Sequence, residues 1–189
     1  MDKRTTILQT AEKLLAERGF YGLSMKALAD NAGVAAGTIY RYFENKEEMI
    51  NQLHQYVKKE AAITMFNGLD EQLTEKEKYS LIWRNTFHSV LKNPQRMLAI
   101  SMLCLRPCIE GHEMFSSEDQ TFAPLFNLYN RGVREHRFID LPVEALVSLS
   151  FESAVNLAKK ALHINFIANE QLIEQVINVS WQAILKPTN

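Results

Sequence analysis

Glycine and proline are the residues this chain largely does without. Seven glycines and five prolines in 189 residues leave long stretches containing neither, and such stretches suit helices better than a strand-and-turn architecture. Ile7, Leu8, Ala11, Leu14 and Leu15 recur at the spacing of one helical face. Arg18-Gly19 ends that helix with a glycine where a left-handed residue is wanted. Ser24 is an N-cap for "MKALADNA", which Asn31-Ala32-Gly33 stops. A third helix is expected over about Ala35 to Arg41. Asn45 caps a fourth, with Glu48 three residues later as in a capping box, and that helix runs to about Phe66.

Five more helical segments follow, over about 75–92, 95–108, 118–136, 142–165 and 169–186. Asn93-Pro94, Arg106-Pro107, Leu141-Pro142 and Lys186-Pro187 mark their ends, because the residue before proline leaves the helical region. No strand pattern and no internal repeat is evident. The expectation is an all-α chain of about nine helices. It divides into a three-helix helix-turn-helix domain over 1–46 and a larger domain over 47–189, joined by the helix at 46–66.

Composition excludes some classes and leaves others open. The formal net charge is −1, with nine basic against eight acidic residues in 1–60 and twelve against fourteen beyond. Any nucleic-acid binding must therefore rest on local charge. No apolar run approaches the roughly 18–20 residues of a membrane span, and Gln9, Thr10, Glu12 and Lys13 interrupt the N-terminus too early for a secretory signal. Two cysteines imply no disulfide framework. A cytoplasmic protein with no membrane partner is expected.

Function concentrates in "GVAAGTIYRYFENKEEM", residues 33–49. Helices two and three are short and joined by a turn of about four residues with a glycine, the helix-turn-helix pattern. Its second helix leads into the major groove with its N-terminal residues. Here these are Ala35, Ala36, Gly37 and Thr38, small enough for the backbone to come close to DNA. The Thr38 hydroxyl suits a phosphate or a base edge. Tyr40 and Tyr42 can each place a hydroxyl on a phosphate. Lys46 adds a charge at the start of helix four, and Lys26 in helix two does the same or reaches a base. Ile39 and Phe43, four apart, face inward with Val34 and Leu28.

In that order, "ERGF-x-G-L-S" and "ALA-x-x-AGV-x-x-GT-x-Y-x-YF-x-NKE-x-M" resemble the TetR family of one-component bacterial transcriptional regulators, over residues 7–53. The resemblance implies an all-helical, two-domain homodimer. It implies a palindromic double-stranded DNA operator, usually repressed, and release when a small-molecule effector binds the larger domain. Carried over by position, the family's DNA contacts fall on Ser24, Lys26, Ala35, Ala36, Thr38, Tyr40, Tyr42 and Lys46, with Gly37 at the small position before the threonine. No cofactor, metal or catalytic residue is implied.

The larger domain reads less sharply. Trp83, Phe87, Met97, Met102, Met114, Phe122, Phe126, Tyr129 and Phe151 are candidates to line an adaptable apolar pocket, although an apolar residue at helical spacing is usually core. His88, Arg106, Glu152 and Asn156 are the polar candidates; a buried Glu152 would need a partner, such as a cationic ligand or Arg106. Residues 143–158 are apolar around most of the helix, and Ile173, Val176, Ile177, Trp181, Ile184 and Leu185 form a stripe. Two such helices suit half of an intersubunit four-helix bundle, so Val143, Leu146, Val147, Ile173, Ile177, Trp181 and Ile184 are candidate dimer contacts.

Two other readings compete. Cys104, Cys108 and His112 are spaced by four and would share a helical face as a thiol or metal sensor, but Pro107 and Gly111 interrupt that helix. A helical interaction module that binds no DNA is the other. Enzyme readings find no Gly-rich phosphate loop and no strand-borne nucleophile signature.

Overall fold

Helix ends in this chain are set by side chains that satisfy orphan backbone groups. In the computed structural model, which describes residues 2–105, 120–163 and 166–187, Asp2 caps α1 (Lys3–Gly22) by accepting from the Arg4 and Thr5 amides. Gly19 breaks this helix at φ 64°, ψ −172°, a region open only to glycine, and a last turn carries on to Gly22. Ser24 caps α2 (Met25–Ala32), its Oγ accepting from the Ala27 amide at 3.1 Å. Gly33 ends α2 in the left-handed region, at φ 65° and ψ 35°, and donates to the Ala29 carbonyl. The recognition helix α3 spans Ala36–Tyr42, one residue later at each end than expected. Asn45 accepts from the Glu48 amide at 2.9 Å to start α4 (Lys46–Met65), while Glu48 reaches back to the Glu44 amide rather than to that of Asn45.

Further on, Thr74 and Glu77 form a reciprocal cap on α5 (Glu75–Lys92), and Asn93 caps α6 (Pro94–Cys104). A 3-10 turn at Gln120–Phe122 leads into α7 (Ala123–Arg134). The continuous helix expected over 142–165 is two helices, α8 (Val143–Leu149) and α9 (Glu152–His163). Serine hydroxyls sit at the break. Ser150 sits at φ −124°, ψ −68°; its Oγ donates to the Leu146 carbonyl at 2.7 Å, and Ser153 Oγ donates to the Ser150 carbonyl. Hydroxyls that bond back to a helix carbonyl slightly destabilise and often bend the helix, and the Ser150 hydroxyl is also held from outside its helix by Tyr129. Asn169 caps α10 (Glu170–Gln182). Among the described residues the chain is all-α, with one isolated bridge between Phe138 and Leu185. No described helix is long and apolar enough to cross a membrane.

The chain divides into two units. The first comprises residues up to 60 together with α6, so the boundary expected after residue 46 falls inside it. Its core holds Ile7, Leu8, Leu14, Leu15, Leu28, Ile39, Phe43, Met49, Leu53 and Val57, and α1 packs on both α2 and α6. The second comprises residues 61–92 with α7 to α10, where α5 lies along α9. Its core is aromatic. Trp83 stacks on Phe87 at 5.6 Å, and Phe138 meets Tyr129 and Trp181 at 6.0 and 5.2 Å. Three polar tips there are partnered: Tyr79 OH with Ser180 Oγ at 2.8 Å, Tyr129 OH with Ser150 Oγ at 2.7 Å, and Trp83 Nε1 donating to Ser153 Oγ at 2.8 Å.

Burial pushes the Tyr79 phenol up to about 12 and moves Tyr129 in the same direction. Unfolded tyrosines ionise near pH 10, so above that pH the unfolded chain holds fewer protons than the folded one. Stability is then complete below pH 10 and falls as pH rises toward 12, by about 1.4 kcal/mol per pH unit for each tyrosine. Urea midpoints measured from pH 8 to 11 will show this decline, and Tyr79→Phe will make it shallower. A midpoint that does not move with pH would contradict it.

Candidate nucleic-acid interface

The outward side of the α2–α3 pair is built from small residues and hydroxyls. Ala35, Ala36 and Gly37 are exposed at the start of α3, and a Cβ added at Gly37 would meet nothing within 4 Å. Thr38 is half-buried one position on. Ile39 and Phe43 are fully buried and fasten the helix to the core as their spacing predicts. Tyr40 points out, more than half exposed, and Tyr42 is half-buried. Ser24 and Lys26 are exposed at the start of α2. Ser24 Oγ accepts a hydrogen bond from its own helix, which leaves its O–H to donate.

Lys46 has an additional tie. Its Nζ donates to the Phe20 carbonyl at 2.9 Å, across 26 residues of sequence. One of its three donors is thus used inside the fold, and two remain for an outside acceptor. Sequence reasoning passed over Arg41. It is exposed on α3, and its guanidinium lies 5.3 Å from the centre of the Tyr42 ring. That contact holds a cation over the Tyr42 ring, and the signal was present as an arginine between two tyrosines. Also missed was Glu12, which accepts from Arg96 Nε at 2.7 Å and from its second amino nitrogen at 3.1 Å. This fork joins α1 to α6 inside the unit that carries the helix-turn-helix.

The candidate pocket residues differ in burial and are divided between the two units. Trp83, Phe87, Phe122, Phe126 and Tyr129 are buried in the second unit's core, and so is Phe151. Glu152 is half-buried in the first turn of α9, whereas His88 and Asn156 are exposed. Met102 and Met97 are half-buried on α6, in the first unit. A groove of about 370 Å³ in the second unit, lined by Leu69, Glu75, Lys78, Ile82, Asn127 and Arg131 among others, contains none of the pocket candidates. Arg106, Cys108, His112 and Met114 lie outside the described residues. Cys104 is half-buried at the end of α6. Among the described residues no group of three metal-ligating side chains comes together.

The candidate dimer stripe is also largely taken up by the chain itself. Leu146, Val147, Ile173, Ile177, Trp181 and Ile184 are buried in the second unit, and Val143 is half-buried. Residues already covered by their own fold have little surface to offer a partner. The apolar side chains left outside on these helices are Leu149, Leu162 and Val179, with Val179 66% exposed.

Residues 7–53 match the family of bacterial regulatory proteins described as tetR, and residues 75–185 match a tetracyclin repressor-like C-terminal domain. An HTH-type transcriptional regulator of Haemophilus influenzae is 30% identical over 185 residues, 98% of this chain and 97% of that one. The structure of a TetR family transcriptional regulator from Vibrio parahaemolyticus is 36% identical with a TM-score of 0.84, covering 98% of this chain and all of that one. The transcriptional regulator FadR from Bacillus subtilis, solved in complex with stearoyl-CoA, shares the fold at a TM-score of 0.72 and 19% identity, covering 95% of this chain and 98% of that one.

Proposed function

The chain belongs to the tetR family of bacterial regulatory proteins, and on that premise we propose that it holds a palindromic operator as a homodimer, represses there, and lets go when a small, largely apolar effector enters its second unit. One observation carries the DNA-binding part. The leading end of α3 exposes a small-residue surface, Ala35 to Gly37, flanked by the outward groups of Lys26, Thr38, Tyr40, Arg41, Tyr42 and Lys46. Small side chains let the helix sit deep in the major groove, while the hydroxyls and cations around it position the phosphates.

With alanines at 35 and 36, few side chains remain to read bases. Selectivity then rests on Lys26, Thr38 and DNA shape. What supports an apolar effector is the stearoyl chain of the ligand in the FadR complex, because the second unit's aromatic residues pack on one another as core. The outward apolar residues of α8 to α10, Leu149, Leu162 and Val179, are the surface for the second copy. The effector favours a dimer whose recognition helices no longer fit half-sites about 34–36 Å apart. Effector and operator then weaken each other by the same factor. The cytoplasm is where such a protein works.

Replacing Tyr42 by Phe and Lys46 by Ala together tests the contacts. The double variant is expected to bind the operator roughly thirtyfold more weakly and to reduce the magnitude of the salt slope by about one. An unchanged affinity and slope would remove these residues from the interface.

A further inference from the structure

We propose that the corner between α1 and α2, formed by Arg18 and Tyr21, is a second phosphate clamp on the operator backbone, outside the helix-turn-helix itself. This inference rests on the DNA-binding reading above and extends its footprint. Tyr21 is fully exposed, the most exposed of the large apolar or aromatic side chains on the described surface. Arg18 is exposed as well, and among the described residues its side chain enters no hydrogen bond or ion pair. Glu17, the adjacent carboxylate, pairs instead with Lys13 at 3.9 Å.

The corner is built so that both groups point outward. Gly19 breaks α1 with its positive φ, and the chain folds back so closely that a Cβ on Gly22 would lie 2.2 Å from Arg18 Cβ and 3.3 Å from its Cγ and Cδ. Only glycine at 22 leaves room for the Arg18 stem along the turn. The corner is also continuous with the interface already described. Lys46 donates to the carbonyl of the Phe20–Tyr21 peptide unit at 2.9 Å, and Ser24, the cap of α2, follows three residues after Tyr21. The ammonium assigned to a phosphate therefore sits beside the peptide that carries Tyr21. A guanidinium fork matches phosphate oxygens in pairs, and a phenol donates one hydrogen bond to the same backbone. Such a contact adds affinity and fixes orientation without reading sequence.

The test is a titration of a duplex selected by the wild-type chain, followed by fluorescence anisotropy between 50 and 200 mM salt. Arg18→Ala is expected to reduce the magnitude of the log–log salt slope by about one and to weaken binding roughly five- to tenfold. The loss should be the same on the selected duplex and on variants of it with single base changes. Tyr21→Phe is expected to weaken binding about two- to threefold. Gly22→Ala, which keeps both groups and displaces Arg18, should lose binding in the same direction. Lys59→Ala removes an equal charge from an exposed lysine on α4 and should change neither slope nor affinity. If Arg18→Ala retains the wild-type slope and affinity, or if Lys59→Ala loses as much, the clamp is wrong while the helix-turn-helix reading stands. If the wild-type chain binds no duplex at all, both readings fall together.

Discussion

Gly37→Leu is expected to leave the fold intact and to cut operator affinity by at least about a hundredfold, roughly 2.7 kcal/mol. The two halves of that expectation have separate origins. Beyond its chain neighbours and the backbone of its own helix, nothing lies within 4 Å of the position a Cβ would take at Gly37, so the free protein has room for a larger side chain. Leucine is also a better helix former than glycine by somewhat under 1 kcal/mol, so the thermal midpoint should hold or rise. The loss comes only in the complex, where an isobutyl group occupies the space that the groove floor needs. Thermal melting and duplex titration on the same preparation check both halves. A variant that binds as tightly as wild type would mean that the start of α3 does not enter the groove.

The second large effect concerns stability. Glu12 is 7% exposed and is held by the Arg96 fork. Arg96→Ala leaves that carboxylate without its partner in a nearly dry site, which costs about 2–4 kcal/mol, toward the lower side of fully buried pairs because the Arg96 side chain retains some solvent. Replacing both residues, Glu12→Met with Arg96→Met, removes the desolvated charges together. The pair is then expected to recover to within about 1 kcal/mol of wild type, since well-packed apolar residues often replace ion pairs at no net loss. Chemical denaturation of Glu12→Met, Arg96→Met and the double variant closes the cycle. Single variants that cost under about 0.5 kcal/mol would show that the fork behaves like a surface ion pair.

Features set within a few residues were legible in the sequence, and those set by distant neighbours were not. Ser24, Gly33 and Asn45 cap or stop helices using their own side chains or dihedrals, and each does so in the structure. Ile39 and Phe43 are buried because a four-residue spacing on a short helix admits one inner face. The break at Ser150 carries no glycine or proline, and the hydroxyl there is engaged with Leu146 and, 21 residues away, Tyr129. The Glu12–Arg96 fork spans 84 residues and leaves no local pattern. Periodicity shows that one face of α10 is apolar, but not whether the chain's own core or another copy covers it. Ile173, Ile177 and Trp181 went to the core. For the same reason His88 and Asn156, singled out as polar groups on apolar helices, proved to be exposed.

Binding of the chain to a pool of random duplexes, with the retained molecules sequenced, tests the central claim most directly. Enrichment of an inverted repeat is expected, with half-site centres about 10 base pairs, or a multiple of that, apart. The enrichment should vanish for Gly37→Leu. Recovery of duplexes with no shared sequence, or of none above background, would contradict it.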